Sequence, residues 1–160
     1  RDFTPTVLIS TDSPISRRIQ DSGYALKHKF YTRRPESGSG ARPVPQKYFG
    51  YSSGPLAASI AALDGCVIMY LVGFDMGPVN NHFNNVYANT EFYKKSSATP
   101  TFTGNWVRQI VTVMKDFPKT AFVRVIGHTT AEIKELAAVK NFKTMTMSDF
   151  LNHINNTKDL

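Results

Sequence analysis

The 160-residue sequence predicts a single α/β domain, three layers deep, on a doubly wound, mainly parallel sheet of about four or five strands. Three observations predict it. Short β-branched runs alternate with helix-period segments along the whole chain, as in βαβ units. Residues 66–72 (CVIMYLV) are continuously apolar, the pattern of a central strand covered on both faces. Residues 52–65 form a small-residue helix that feeds directly into that run, which ends in Gly73-Phe74-Asp75. A polar loop therefore sits at a strand's carboxyl end, where such sheets bind ligands.

Taken in order, residues 6–10 (TVLIS) follow Pro5 and read as the first strand. Ser13-Pro14 supplies an N-cap and a first helical residue for a short helix to about Ser22, closed by Gly23. Residues 27–32 (KHKFYT) alternate as a short or edge strand. Residues 33–53 are irregular, with Pro35, Pro43, Pro45 and glycines at 38, 40 and 50. A loop this long is usually functional or disordered. Gly54-Pro55 opens the next helix, with Leu56, Ile60 and Leu63 on one face. Its alanines keep it narrow enough to lie close to a sheet, and Gly65 caps it.

A second long loop, 75–103, is rich in asparagine and carries Tyr87, Tyr93 and a Lys94-Lys95-Ser96-Ser97 run. Over 104–117, Val107, Ile110, Val111, Met114 and Phe117 share one helical face, and Pro118 ends the helix. Residues 120–126 (TAFVRVI) read as a strand. Residues 130–139 read as an amphipathic helix with Ile133, Leu136 and Ala137 inward. Residues 143–147 are a last short strand, and Ser148 caps a terminal helix over 149–155. Both long loops are expected near one end of the sheet. No internal repeat or coiled-coil heptad interrupts this order.

The net charge is +7. Lys27, Lys29, Arg33, Arg34, Arg42 and Lys47 fall in one stretch against a single acid, Glu36. Such a patch points to an anionic partner: a nucleotide phosphate, a nucleic acid or an acidic surface. Cys66 is the only cysteine, which excludes an internal disulfide and a cysteine-cluster metal site. A buried structural thiol is expected there. No apolar run approaches the roughly 18 residues of a membrane span. Residues 1–5 (RDFTP) carry no targeting signal, so a cytoplasmic or virion-associated protein is expected.

Several motifs carry candidate chemistry. Ser52-Ser53-Gly54 opens a helix, where backbone N–H groups suit a phosphate and the hydroxyls a ribose; plain capping is the structural alternative. Walker A and GxGxxG patterns are absent, and the first strand is followed by Thr11-Asp12-Ser13-Pro14 without a glycine. Asp75 can hold a ribose hydroxyl or a metal, or cap its turn. His82 and His128 are candidate general bases in loops, whereas His28 and His153 read as surface residues. Arg33, Arg34, Arg42 and Tyr93 are candidate phosphate ligands. No paired metal-ligand spacing is present.

Ser52-Ser53-Gly54, the alanine-rich helix, residues 70–75 (YLVGFD) and Tyr87 together resemble the nucleotide-binding half of bacterial sialyltransferases and the methanopterin-pyrophosphokinase-like Rossmann proteins, over residues 48–93. The resemblance implies a Rossmann-like fold. It implies that Ser52, Ser53 and Gly54 contact the nucleotide, that Asp75 supports the turn, and that Tyr87 contacts the donor phosphate. The chain departs from that pattern in three places. The glycine-rich first turn is missing after Ser10, Met76-Gly77-Pro78 stands where a second phosphate tyrosine is expected, and no histidine lies between His82 and His128. The expectation is therefore a nucleotide or nucleotide-sugar binder, glycosyltransferase-like with altered or lost chemistry, with the nucleotide or nucleotide sugar as its candidate cofactor. A non-enzymatic assembly protein such as a phage virion component, using the long loops as contacts, is the alternative. A basic nucleic-acid-binding module is a third reading.

Overall fold

The computed structural model describes residues 3–77, 82–99, 104–127 and 132–157. Its strands pair in parallel, in two three-stranded sheets, with helices in most of the connections between strands. The α/β class and the parallel pairing agree with the sequence reading; one sheet of four or five strands does not. The chain divides into two compact units, Arg1–Ile60 and Ala61–Leu160.

In the first unit β1 (Val7–Ile9), β2 (Lys29–Thr32) and β3 (Arg42–Pro43) stand in that order, with β2 central. Leu8 pairs with Phe30, and Tyr31 with Arg42. Pro43 gives up a backbone donor, which an edge strand such as β3 tolerates. Between β1 and β2 the chain runs through α1 (Ser13–Asp21) and α2 (Tyr24–Lys27). Pro14 sits in the first turn of α1, and Gly23 takes φ +71° between the two helices. From β2 to β3 it crosses by residues 33–41, with no helix. The sequence reading of 33–53 as wholly irregular missed both β3 and the 3-10 turn Gln46–Tyr48. Phe30, Val44 and Tyr48 are buried in this unit.

Helix α3 (Ser53–Leu63) carries the chain out of the first unit. Leu56 and Ile60 are buried as their spacing predicts, but Leu63 is exposed.

The second unit alternates strictly: β4 (Ile68–Leu71), α4 (Gly104–Asp116), β5 (Ala121–Ile126), α5 (Lys134–Ala137), β6 (Phe142–Thr146), α6 (Met147–Asn156). The strand order is β4-β5-β6. β5, not β4, is the central strand of the set, and Phe122, Val123 and Val125 on it are buried with Ile110, Val113 and Met114 of α4. This corrects the expectation for 66–72: Val67, Ile68 and Val72 are 69%, 52% and 50% exposed. Cys66 is half-buried rather than buried, its Sγ–H donating to the Ile68 carbonyl at 3.0 Å. α5 is a single turn in which Leu136 is buried and Ala137 exposed. Thr146, not Ser148, caps α6: its hydroxyl accepts from the Asp149 N–H at 3.1 Å. A membrane-crossing helix, long and apolar enough, is absent among the described residues.

Candidate functional site

The first unit contains a cleft of ≈ 240 Å³. Thr11, just past β1, and Thr32 at the end of β2 form its floor, and Ser13 and Ser16 of α1 one side. Arg34 and Glu36, on the loop after β2, form the facing side. The cleft thus lies at the carboxyl ends of two parallel strands, where such sheets bind ligands, and runs along α1 from Ser13 in its first turn to Gln20 in its last. Its floor is fixed by a buried 2.6 Å hydrogen bond between the Ser16 and Thr32 hydroxyls.

The phosphate arginines proposed from sequence divide into different roles. Arg33 lines the cleft, but its Nε donates to the Phe49 carbonyl at 2.8 Å and its Nη2 to that of Tyr51 at 2.7 Å. It holds the chain that enters α3. Arg34 lines the cleft, and among the described residues no hydrogen bond or ion pair engages its guanidinium. Arg42 is exposed, its guanidinium 5.9 Å from the Tyr31 ring centroid, and is outside the cleft's lining. Arg17 lines the cleft as well, its Nε 3.6 Å from Glu36 Oε1.

Ser52, Ser53 and Gly54 are half-buried at the start of α3. The Ser53 hydroxyl accepts from the Thr11 N–H at 3.2 Å and hydrogen-bonds the Thr11 hydroxyl at 3.1 Å. It ties the end of β1 to the start of α3. The Ser52 carbonyl accepts from the Leu56 N–H at 3.1 Å.

Asp75, Tyr87, Tyr93 and His82 belong to the second unit. Asp75 follows β4 in a turn containing Gly73 at φ +76° and Met76 at φ +54°. Its Oδ2 accepts from Asn84 Nδ2 at 3.4 Å, and the same amide donates to the Gly77 carbonyl at 3.3 Å. Tyr87 and Tyr93 stack with ring centroids 5.4 Å apart, packing this loop against itself. His82 is exposed; His128 lies outside the described residues. His28 and His153 are exposed, as expected, beside Tyr24 and Tyr70.

Sequence reasoning missed two organising residues. Gln20, on α1, is 5% exposed. Its Nε2 donates to the Arg34 carbonyl at 3.3 Å, and its Oε1 accepts from the Glu36 N–H at 2.7 Å and the Ser39 hydroxyl at 3.0 Å. Arg124, on β5, is 2% exposed and donates to the Phe74 and Asp75 carbonyls. Burial lowers its pKa, and the charge of Asp75 opposes that shift. A polar residue inside a buried apolar pattern was the available signal: Arg124 stands between Val123 and Val125. Among the described residues no group of three or more His, Cys, Asp or Glu could hold a metal ion. No family model, curated protein or solved structure matches the chain.

Proposed function

We propose that this chain binds a nucleotide or nucleotide sugar, with the phosphate end held in the cleft of the first unit. One observation carries the reading: the unengaged Arg34 guanidinium shares a cleft with Ser13, in the first turn of α1, at the carboxyl ends of β1 and β2, where the Thr11 and Thr32 hydroxyls are themselves held by Ser53 and Ser16. A cation beside a hydroxyl in a concavity suits a phosphate ester. Ser53 and Arg33 act in support, one fixing the end of β1 and the other the entry to α3. The strict strand–helix alternation of the second unit is that of a mononucleotide-binding half, and it supports the Rossmann-like reading of the frame. Within the second unit, taken by itself, Asp75 and Tyr87 are the ligand candidates and His82 is the described candidate base for a glycosyltransferase-like activity.

The test is a thermal-shift titration with CMP, CDP, UDP, GDP and CMP-sialic acid on the wild type and Arg34→Ala. A ligand at 100 times its Kd stabilises the folded state by about 2.7 kcal/mol. The expected result is a saturable shift with at least one nucleotide, weakened in Arg34→Ala. No shift with any of them at millimolar concentration overturns the reading.

A second reading, assembly with other copies or proteins, is favoured by the exposed Val67, Ile68 and Val72 along β4. It predicts concentration-dependent association in light scattering that Val67→Lys abolishes.

A further inference from the structure

We propose that the cleft of the first unit takes a sugar phosphate rather than a bare phosphate: Arg34 pairs with the phosphate, Glu36 accepts a hydrogen bond from a hydroxyl of the attached sugar, and Gln20 sets the spacing between them. The inference rests on the nucleotide-binding reading and narrows it to the part of the ligand the cleft holds.

At ≈ 240 Å³ the cleft falls just below the roughly 300–1,000 Å³ of pockets that enclose a drug-sized ligand. It is larger than a phosphate requires and small for an entire nucleotide.

The lining of the cleft is of mixed charge. Glu36 lines the same cleft as Arg17 and Arg34. A carboxylate repels a phosphate, so its presence favours a ligand that also brings hydrogen-bond donors. Sugar hydroxyls are such donors. At 3.6 Å the contact of Glu36 with Arg17 Nε is an ion pair too long for a good hydrogen bond, and both side chains are exposed. Such a pair is weak, and the carboxylate, which offers about four acceptor positions, keeps capacity for a ligand.

Gln20, nearly buried and itself part of the cleft's lining, ties the facing loop to α1. Gln20 reaches the loop at Arg34, Glu36 and Ser39 at once. Both charged residues are therefore fixed to α1 through their backbones, while their side chains line the cleft. Gln20 touches the loop that carries the binding groups and acts as a positioning residue.

Isothermal titration of the wild type, Glu36→Gln, Arg34→Ala and Gln20→Glu with inorganic phosphate, ribose 5-phosphate and CMP tests this. Ribose 5-phosphate is expected to bind about tenfold more tightly than inorganic phosphate, the scale of one added charge-assisted hydrogen bond. Glu36→Gln should remove most of that preference while leaving phosphate binding equal or stronger. Arg34→Ala should weaken every probe. Gln20→Glu keeps the acceptor oxygens and loses the donor to Arg34; it should narrow the preference in a protein whose circular dichroism is unchanged. Equal binding of the two small probes, or equal losses for both in Glu36→Gln, overturns the sugar-phosphate inference and leaves the nucleotide reading standing. A preference unchanged in Gln20→Glu removes Gln20 from the proposal. If neither CMP nor either small probe binds, the inference and the reading beneath it both fall.

Discussion

The Arg124 guanidinium, buried on the central strand β5, donates from Nη2 to the Asp75 carbonyl oxygen at 2.7 Å and from Nε to that of Phe74 at 2.8 Å. It thereby holds the turn that follows β4 in a shape that includes Met76 at φ +54°, a conformation a side chain as bulky as methionine seldom takes. Arg33 does comparable work in the first unit, reaching the carbonyls of Phe49 and Tyr51. In both units an arginine fixes a loop by its backbone, and the side chains of that loop are left to other tasks.

Arg124→Met should lower stability by about 1.5–3 kcal/mol, because it removes charge-assisted donors from half-buried carbonyls. Urea unfolding gives the difference, and hydrogen exchange should quicken at residues 74–77. Folding depresses the pKa of Arg124 because burial disfavours its charged form. That penalty is therefore constant well below the folded pKa and is relieved only as pH climbs through it, in the alkaline range. The stability gap between Arg124→Met and the wild type should accordingly stay flat for as long as Arg124 remains charged in the folded state.

Gly40 and Gly38 form a matched pair of tests. Both take positive φ, +80° and +77°. A Cβ on Gly40 would lie 2.6 Å from the Ala25 carbonyl oxygen, while nothing lies within 4 Å of one on Gly38. Gly38→Ala should cost about 1–2 kcal/mol, the left-handed penalty alone. Gly40→Ala should cost clearly more, because backbone must move to admit the methyl group. Thermal melts of the two variants side by side check this, and equal losses would show that the loop after β2 relaxes freely.

These residues also show what could be read in advance. The ends of α1 were legible because Pro14 and Gly23 act through their own backbone limits. β5 was legible from its β-branched run, and the apolar face of α4 from its helical period. What failed depended on neighbours distant in sequence. An apolar run such as 66–72 fits a central strand, yet β5 takes that place because β6 pairs on its other side. The contact of the Ser53 hydroxyl with Thr11, 42 residues away, has no local signal in the sequence. Arg34 and Arg42 look alike in the basic stretch; only the fold sends one into the cleft and the other over Tyr31. Gln20 and Asn141 carry no local signal at all, since their partners lie on other elements.

The Ser16–Thr32 pair tests how far the cleft floor depends on one short hydrogen bond. Both residues are buried, at 4% and 1% exposure. Ser16→Ala should cost about 1–3 kcal/mol by leaving the Thr32 hydroxyl without its partner. Thr32→Val should cost a similar amount. The double variant should cost less than the sum, with a coupling of about 0.5–3 kcal/mol. A strictly additive cycle, measured by urea unfolding, would mean that the two hydroxyls do not depend on each other.

Asn141 makes the sharpest pH test. Its Nδ2 donates to the Met114, Phe117 and Thr120 carbonyls at 3.0, 3.0 and 2.9 Å, closing the end of α4 onto the start of β5. The group has two hydrogens, so one is shared between two acceptors. Asn141→Ala should cost about 1–3 kcal/mol at any pH, since carbonyls lose their donor. Asn141→Asp puts a carboxylate against the same oxygens. Folding then favours its protonated form and raises its pKa above the unfolded value of about 3.9. Stability is retained below that unfolded value and lost as pH rises through the raised, folded one. Asn141→Asp should therefore come close to Asn141→Ala at about pH 4 and fall well below it at about pH 8. Parallel melting profiles for the two variants across that range would show that the side chain does not face these carbonyls.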